Sequence, residues 1–410
     1  MKKLVFISLM LPAFIYAQGL KQLLTSALEN NNMVSSKTLM EQASKKTLEA
    51  SQSSYLPTLD ISGGYQSLNH RSYNTPGDVY NGSVGLGFDI YDGGYKSNTI
   101  KQNKKLVESA KFTTSSYKKS LQLSVIQDFY NIKNTQSTIK ALQEEKIQLQ
   151  AELDRIKQFF KVGSATKDEV DKLQAKLSNN IYQIETAKYQ LLSLKKLLSI
   201  KVGMKITSID DSSLLPPKFE SKEISDNISA MMATAKSYEY TAKSINSAYM
   251  PSLRLEDTYS VYDYGRTDVT HPEGIPNQNK LLLSFSMRLY DDGNIKKQKE
   301  AVMLQKLSLE KEIQQSKDEQ DTNVELAISK IQTSKAQIVS AKSTLESAKS
   351  AYETILEKYK VGAVDNVAYL DALTVRTNAM AQYDAALNDL QVAYANYYYY
   401  VNKNIKDYVK

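Results

Sequence analysis

The stretch FDIYDGGYKSN, residues 88–98, and its counterpart MRLYDDGNIKKQ, residues 287–298, decide the fold. Before the first, Val84, Leu86, Phe88 and Ile90 alternate with Ser83, Gly85, Gly87 and Asp89. Before and into the second, Leu281, Leu283, Phe285, Met287 and Leu289 alternate with Leu282, Ser284, Ser286 and Arg288. A period of two belongs to a strand with one apolar face. After each stretch, neither Gly nor Pro recurs until Gly163 and Gly362, and Lys, Gln, Glu, Ala, Leu and Ser dominate. That composition makes long helices. Gly93, Gly94 and Gly293 stand at the junctions, where the backbone must turn sharply. A strand therefore becomes a helix twice, 199 residues apart. Because Asp292 stands where the first copy has Gly93, Gly94 and Gly293 are expected to be the indispensable glycines and Gly93 the replaceable one.

Two windows, 57–94 and 251–293, hold eleven of the fifteen glycines and five of the eight prolines, so irregular and extended backbone is concentrated there. Each opens on a proline. Pro57 and Pro251 follow helical runs, lack a backbone donor and bias the preceding residue away from the helix, so helices are expected to end at Leu56 and Met250. In PTLDISGGY, Leu59, Ile61 and Tyr65 share one face; in PSLRLEDTYSVY, Leu253, Leu255, Tyr259 and Val261 do, with Asp257 as an interruption. Two hairpins are predicted, 57–92 and 251–292, with polar connections at 70–78 and 264–277.

The offset continues along the helices. A heptad stripe of Val324, Ile331, Ile338, Leu345, Tyr352 and Tyr359 maps onto Val125, Ile132, Ile139, Lys146, Leu153 and Phe160. A companion stripe, Ala327, Ser334, Ala341, Ala348 and Ile355, is small enough for another helix to approach closely. Seven-residue spacing points to coiled-coil packing. Two gapless helices, about 95–160 and 294–359, would each run about 100 Å. Each ends at Lys-Val-Gly, with Gly163 and Gly362 as C-caps, and return helices follow at about 166–200 and 365–402. The expected organisation is a signal peptide at 1–17, a first repeat at 18–204, a linker at 205–224, a second repeat at 225–402 and a short tail at 403–410. The leader has a basic start, an apolar stretch and a small residue at Ala17.

Composition excludes much. There is no cysteine, so disulfides, thiolate metal sites, cysteine nucleophiles and an acylated N-terminal Cys are ruled out. The formal charge of +7 falls to +5 once Lys2 and Lys3 leave with the signal peptide, and the excess is spread along helices, so no nucleic acid is expected. No phosphate loop, nucleophile elbow or metal spacing occurs, and the two histidines, His70 and His271, fall in predicted loops. No enzyme activity, metal or cofactor is predicted.

Four strands with one apolar face cannot close a barrel, since spanning barrels begin at about eight, and open edges are costly in lipid. Several copies must then share one barrel. Ser83, Asp89, Arg254, Ser284 and Arg288 would face water.

At this point the chain resembles the TolC-like outer-membrane efflux proteins. YLPTLDISGGY, LGFDIYDGG, YMPSLRL, FSMRLYDDG, the two Lys-Val-Gly tips and VGAVDNVAYLDA carry the resemblance, in order along the mature chain. It implies a mainly α fold with a small β part. Three copies would form a twelve-stranded transmembrane barrel in the outer membrane and a coiled-coil α-helical barrel in the periplasm. It implies an exit duct for efflux or type I secretion of small molecules or proteins. The partners would be a homotrimer's other copies, outer-membrane lipid, a periplasmic adaptor (membrane fusion) protein and an inner-membrane transporter of RND, ABC or MFS type.

The resemblance also places a periplasmic gate. Tyr359 matches the gate tyrosine, Glu169 stands for the first-half gate acid that would pair with it, and Asp371 matches one position of an acidic ring. Val364 and Ala368 replace the gate arginine and the second ring acid. The tips at Gly163, Ser164, Gly362 and Ala363 would dock the adaptor. The linker and the C-terminal segment would form a band around the helical barrel, and Tyr397–Tyr400 would pack as core. A coiled-coil structural or adhesive surface protein, or a pore-forming toxin, remains the alternative.

Overall fold

A computed structural model describes residues 18–70, 76–219, 221–266 and 274–410. The expected leader, 1–17, and His271 lie outside them. In chain order the elements are α1 (Leu20–Asn30), α2 (Asn32–Ser53), β1 (Thr58–Ser67), β2 (Asp78–Tyr91), α3 (Tyr95–Lys161) and α4 (Lys167–Val202). Then come α5 (Asp226–Asn246), β3 (Ser252–Gly265), β4 (Asn277–Ser286), α6 (Asn294–Lys360) and α7 (Asn366–Tyr400). Among the described residues no helix is long and apolar enough to cross a membrane.

The chain divides into two compact units that do not follow the two sequence repeats. One takes residues up to 36 with 115–225 and 317–410; the other takes 37–114 and 226–316. The long helices α3 and α6 belong to both, so each unit draws on both repeats.

The second unit holds one antiparallel sheet in the order β1-β2-β3-β4. Its register puts the alternating residues on a common face: Ile61 lies opposite Val84, Val84 opposite Tyr259, and Leu59 opposite Leu86. Phe88, Leu255 and Leu283 continue the row. Asp257 sits in it between Leu86 and Leu281. The other face carries Asp89 opposite Arg254 opposite Ser284. There Arg254 donates to Asp89 at 2.9 Å, and Lys96 does so at 2.8 Å. Met287 and Leu289, expected in β4, fall outside it. The last ladder pair is Ser252–Ser286, and the next residue of β3's chain is Pro251, which has no N–H to give.

The helices before the sheet also stop earlier than expected, at Ser53 and Asn246. The last turns tighten before each proline. Leu56 N–H bonds the Ser53 carbonyl at 2.9 Å, and Met250 N–H bonds that of Ser247 at 2.9 Å, both i to i−3.

Among the described residues the first unit has two apolar cores. The larger gathers α1, the middle of α3, the ends of α4 and α7 and the C-terminal turn around Leu23, Phe129, Tyr130, Leu198, Tyr397 and Ile405. Tyr397 and Tyr398 are buried in it, as the core reading requires. The linker is stitched to the C-terminal segment: Leu214 bridges Val409, and Leu215 N–H bonds the Tyr408 carbonyl at 2.9 Å. Along α6 the small stripe is buried most completely. Ser334 is 0 % exposed and Ala327, Ala341 and Ala348 are buried, with Ile355 half-buried, whereas the heptad stripe mixes buried Ile331, Tyr352 and Tyr359 with half-buried Val324, Ile338 and Leu345. Close helix approach therefore uses the small residues.

Candidate functional site

The smaller core of the first unit lies at the helix tips. It joins Leu149, Leu153 and Ile156 of α3, Leu173 and Leu177 of α4, Tyr352 and Tyr359 of α6, and Tyr369 and Leu373 of α7. α3 and α6 end alike. Gly163 and Gly362 have φ of 76° and 74°. Gly163 N–H bonds the Phe160 carbonyl and Ser164 N–H that of Phe159; Gly362 and Ala363 repeat this with Tyr359 and Lys358. These are paired 5→2 and 6→1 bonds, the Schellman end that a left-handed glycine completes. No atom lies within 4 Å of a Cβ added at either glycine, so backbone conformation alone demands them. Val162 and Val361 are exposed beside them.

Tyr359 is 9 % exposed, and its partner differs from the one expected. Its hydroxyl donates to Glu152 Oε1 at 2.7 Å. Glu169 is occupied elsewhere: its carboxylate accepts from the Thr166 backbone N–H at 2.9 Å, and Thr166 Oγ1 accepts from Glu169 N–H at 3.3 Å. Thr166-x-x-Glu169 is a capping box, and it holds Glu169 at the start of α4. The Glu169–Tyr359 pairing is thus corrected to Glu152–Tyr359.

Glu152 collects a second donor. Arg155 reaches it with Nη2 at 2.7 Å and Nε at 3.0 Å, and the guanidinium lies 4.9 Å from the Tyr359 ring centroid. Tyr359 stacks on Tyr369 at 4.9 Å with 11° between planes, and Arg376 lies 4.3 Å from the Tyr352 ring. Burial, then the bond to Glu152, pushes the Tyr359 hydroxyl well above its ordinary pKa. The bond to Glu152 raises Arg155 as well. At neutral pH the tyrosine keeps the proton it donates. The buried acid ties α3 to α6, and the Tyr359–Tyr369 stack adds α7. The signal for it in the sequence is Glu145 and Glu152, two acids at heptad spacing on the α3 face that carries Leu149 and Ile156; both are buried. Asp371 is exposed on α7, Val364 packs partly buried against the tip core, and Ala368 gives its N–H to the Asp365 cap.

The strand-to-helix turns in the second unit share one device. Asp92 accepts from Gly94 N–H at 2.9 Å and Lys96 N–H at 2.7 Å; Asp291 accepts from Gly293 N–H at 3.1 Å and Ile295 N–H at 2.9 Å. Each acid caps the first free N–H groups of its helix. Asp291 also accepts the Tyr249 hydroxyl at 2.5 Å, which with the backbone bonds holds its carboxyl below the usual range. Gly93, Gly94, Asp292 and Gly293 all have positive φ, at 68°, 86°, 56° and 72°. Gly93 is not the replaceable one. A Cβ there would lie 2.6 Å from the Ser247 carbonyl oxygen and 2.6 Å from Met250 Cβ, whereas at Gly94 the nearest atom is 3.7 Å away. Pro57 and Pro251 directly precede the first residues of β1 and β3.

The chain thus combines a sheet with one apolar face, strand-to-helix turns capped alike and long helices ending in matched tips. The family model "Outer membrane efflux protein" matches residues 23–198 and 220–402, and the chain belongs to that family. TolC of Vibrio cholerae serotype O1 is 22% identical over 306 residues, covering 69% of this chain and 68% of TolC. Among solved structures, CusC superposes with a TM-score of 0.82 at 15% identity, covering 94% of this chain and 92% of CusC. The Campylobacter jejuni CmeC outer membrane channel gives 0.81 at 19%, covering 93% and 85%. The chain is an outer-membrane efflux protein with a large helical part in the periplasm.

Proposed function

We propose that three copies of this chain form the exit duct of a tripartite export system, sharing one barrel of twelve strands. The sheet carries the reading. Among the described residues β1 and β4 each leave one edge with no strand beside it, and the face from Leu59 to Phe285 is mostly apolar, with Asp257 and Asn279 as its interruptions. In lipid every open backbone group costs several kcal/mol, so such a sheet must be completed by another copy. The chain has no cysteine, which makes the test free of background. Ile61→Cys with Phe285→Cys, one on each edge strand, treated with a bis-maleimide in membranes, gives a ladder that stops at three chains. A ladder that stays at one chain, or runs past three, rules the trimer out.

The tips meet a periplasmic adaptor that belongs with an inner-membrane transporter of RND, ABC or MFS type. The exposed valines beside Gly163 and Gly362 support this. Ser164→Cys or Ala363→Cys should crosslink to an adaptor in intact cells, while Lys188→Cys, exposed mid-way along α4, should not. Equal labelling of all three sites counts against tip docking.

Glu152, Tyr359 and Arg155 act as an internal tie at the gate, and Asp371 forms a ring of three carboxylates in the narrow lumen. Such a ring focuses negative potential and attracts cations. Asp371→Ala should lower cation preference in planar bilayers and weaken block by divalent cations; an unchanged reversal potential removes the ring.

A further inference from the structure

The tyrosine run at the end of α7 contributes to more than a core. A cavity of about 380 Å³ opens where the linker, the end of α7 and the C-terminal turn meet in the first unit. Small-molecule sites typically span about 300–1,000 Å³. Its walls include Leu215, Tyr397, Tyr398 and Tyr408, and Lys218 and Lys403 contribute the charge. We propose that it is a binding site for a flat apolar monoanion, such as an aryl sulfonate or aryl carboxylate.

The walls are held in place before any ligand arrives. The Tyr398 and Tyr408 rings stack at 3.9 Å with 19° between planes, and the Tyr398 hydroxyl donates to the Leu215 carbonyl at 3.0 Å. Tyr397 is 2 % exposed and cannot swing away. A preformed aromatic wall costs little entropy on binding and favours a flat ring laid against it. The charge sets the rest of the chemistry. Lys403 donates to Glu223 Oε1 at 2.6 Å, so its charge is balanced. Among the described residues at the cavity, Lys218 then leaves one net positive charge beside the Lys403–Glu223 pair, which matches one anionic group on the ligand. Lys222 is paired with Asp321 and adds nothing.

The test is calorimetric titration of naphthalene-1-sulfonate into the full chain in an uncharged detergent, against a detergent blank. One saturable site per chain is expected, and 1-naphthalenemethanol, which lacks the charge, should bind more weakly. Tyr408→Ala removes the outer ring of the stack near the end of the chain and should weaken binding roughly tenfold. Tyr408→Phe keeps the ring and should bind like the parent. Lys218→Ala, on the exposed linker, should weaken the sulfonate several-fold and leave 1-naphthalenemethanol unchanged. Absence of saturable binding overturns the proposal. So does binding that neither Tyr408→Ala nor Lys218→Ala weakens, with melting midpoints like the parent's, because the site would then lie elsewhere.

Discussion

Glu152→Ala should destabilise the helix tips by about 2–3 kcal/mol, the cost of leaving buried donors to a charged group unmet. Glu152 accepts the buried Tyr359 hydroxyl and two N–H groups of Arg155, and it is 7 % exposed. Without it the buried Tyr359 hydroxyl loses its carboxylate acceptor at the edge of a core that includes Leu153 and Leu173. Tyr359→Phe is milder, about 1 kcal/mol, because it removes the donor and leaves the Arg155–Glu152 pair intact. The double variant should fall short of the sum, since both changes break one contact. Thermal melting of the detergent-solubilised protein reads stability, and single-channel conductance reads the tie. Glu152→Ala should melt several degrees lower and conduct more than the parent. A parental melting curve for Glu152→Ala would show that the contact carries no weight. Glu169→Ala serves as the contrast. It costs only a capping box, about 1 kcal/mol, and should leave conductance alone.

Gly93→Ala should cost about 3 kcal/mol or more, and Gly94→Ala about 1–2 kcal/mol. Both residues hold positive φ, so both pay for a left-handed backbone. Only at Gly93 does the new methyl also meet fixed atoms, the Ser247 carbonyl and Met250 Cβ, each at 2.6 Å. A carbonyl at the end of a helix cannot give way as a side-chain tip can, so the clash adds to the strain. The amount of protein recovered in the outer-membrane fraction, with its melting midpoint, should rank parent, then Gly94→Ala, then Gly93→Ala. The opposite rank would mean that backbone strain at φ 86° outweighs the contact.

Much of the architecture is legible in local chemistry. Alternation over residues 83–90 and 281–285 marks strands because successive side chains of a strand face opposite sides. Lys-Val-Gly marks the ends of α3 and α6 because glycine takes the left-handed turn cheaply. Pro251 lies directly before β3 and stops the ladder opposite Met287, and that single residue explains why β4 ends sooner than alternation alone predicts. The capping acids were within reach too, since Tyr-Asp precedes both Gly94 and Gly293 by the same spacing.

The site was legible only in outline. Tyr359 stands out at the end of a heptad stripe, but its partner is 207 residues away, and two acids compete for the role. Glu169 loses because the nearer claim of Thr166 is met within one helical turn. Gly93 looks dispensable beside Asp292, since the two turns share spacing and φ sign. Its neighbours Ser247 and Met250 come from the other repeat, and no local pattern encodes them.

The sequence by itself determined the duplicated order of strands, turns and long helices, together with the membrane family to which they belong. Those features rest on periodicity and on backbone preferences of single residues, which act over a few positions. The tertiary structure alone decided which acid meets Tyr359, which glycine is crowded, and how the repeats are shared between two compact units. It also decided that Tyr398 and Tyr408 line a cavity with Lys218. These depend on contacts between segments far apart in the chain, where packing and charge select one partner among several that the sequence leaves equivalent.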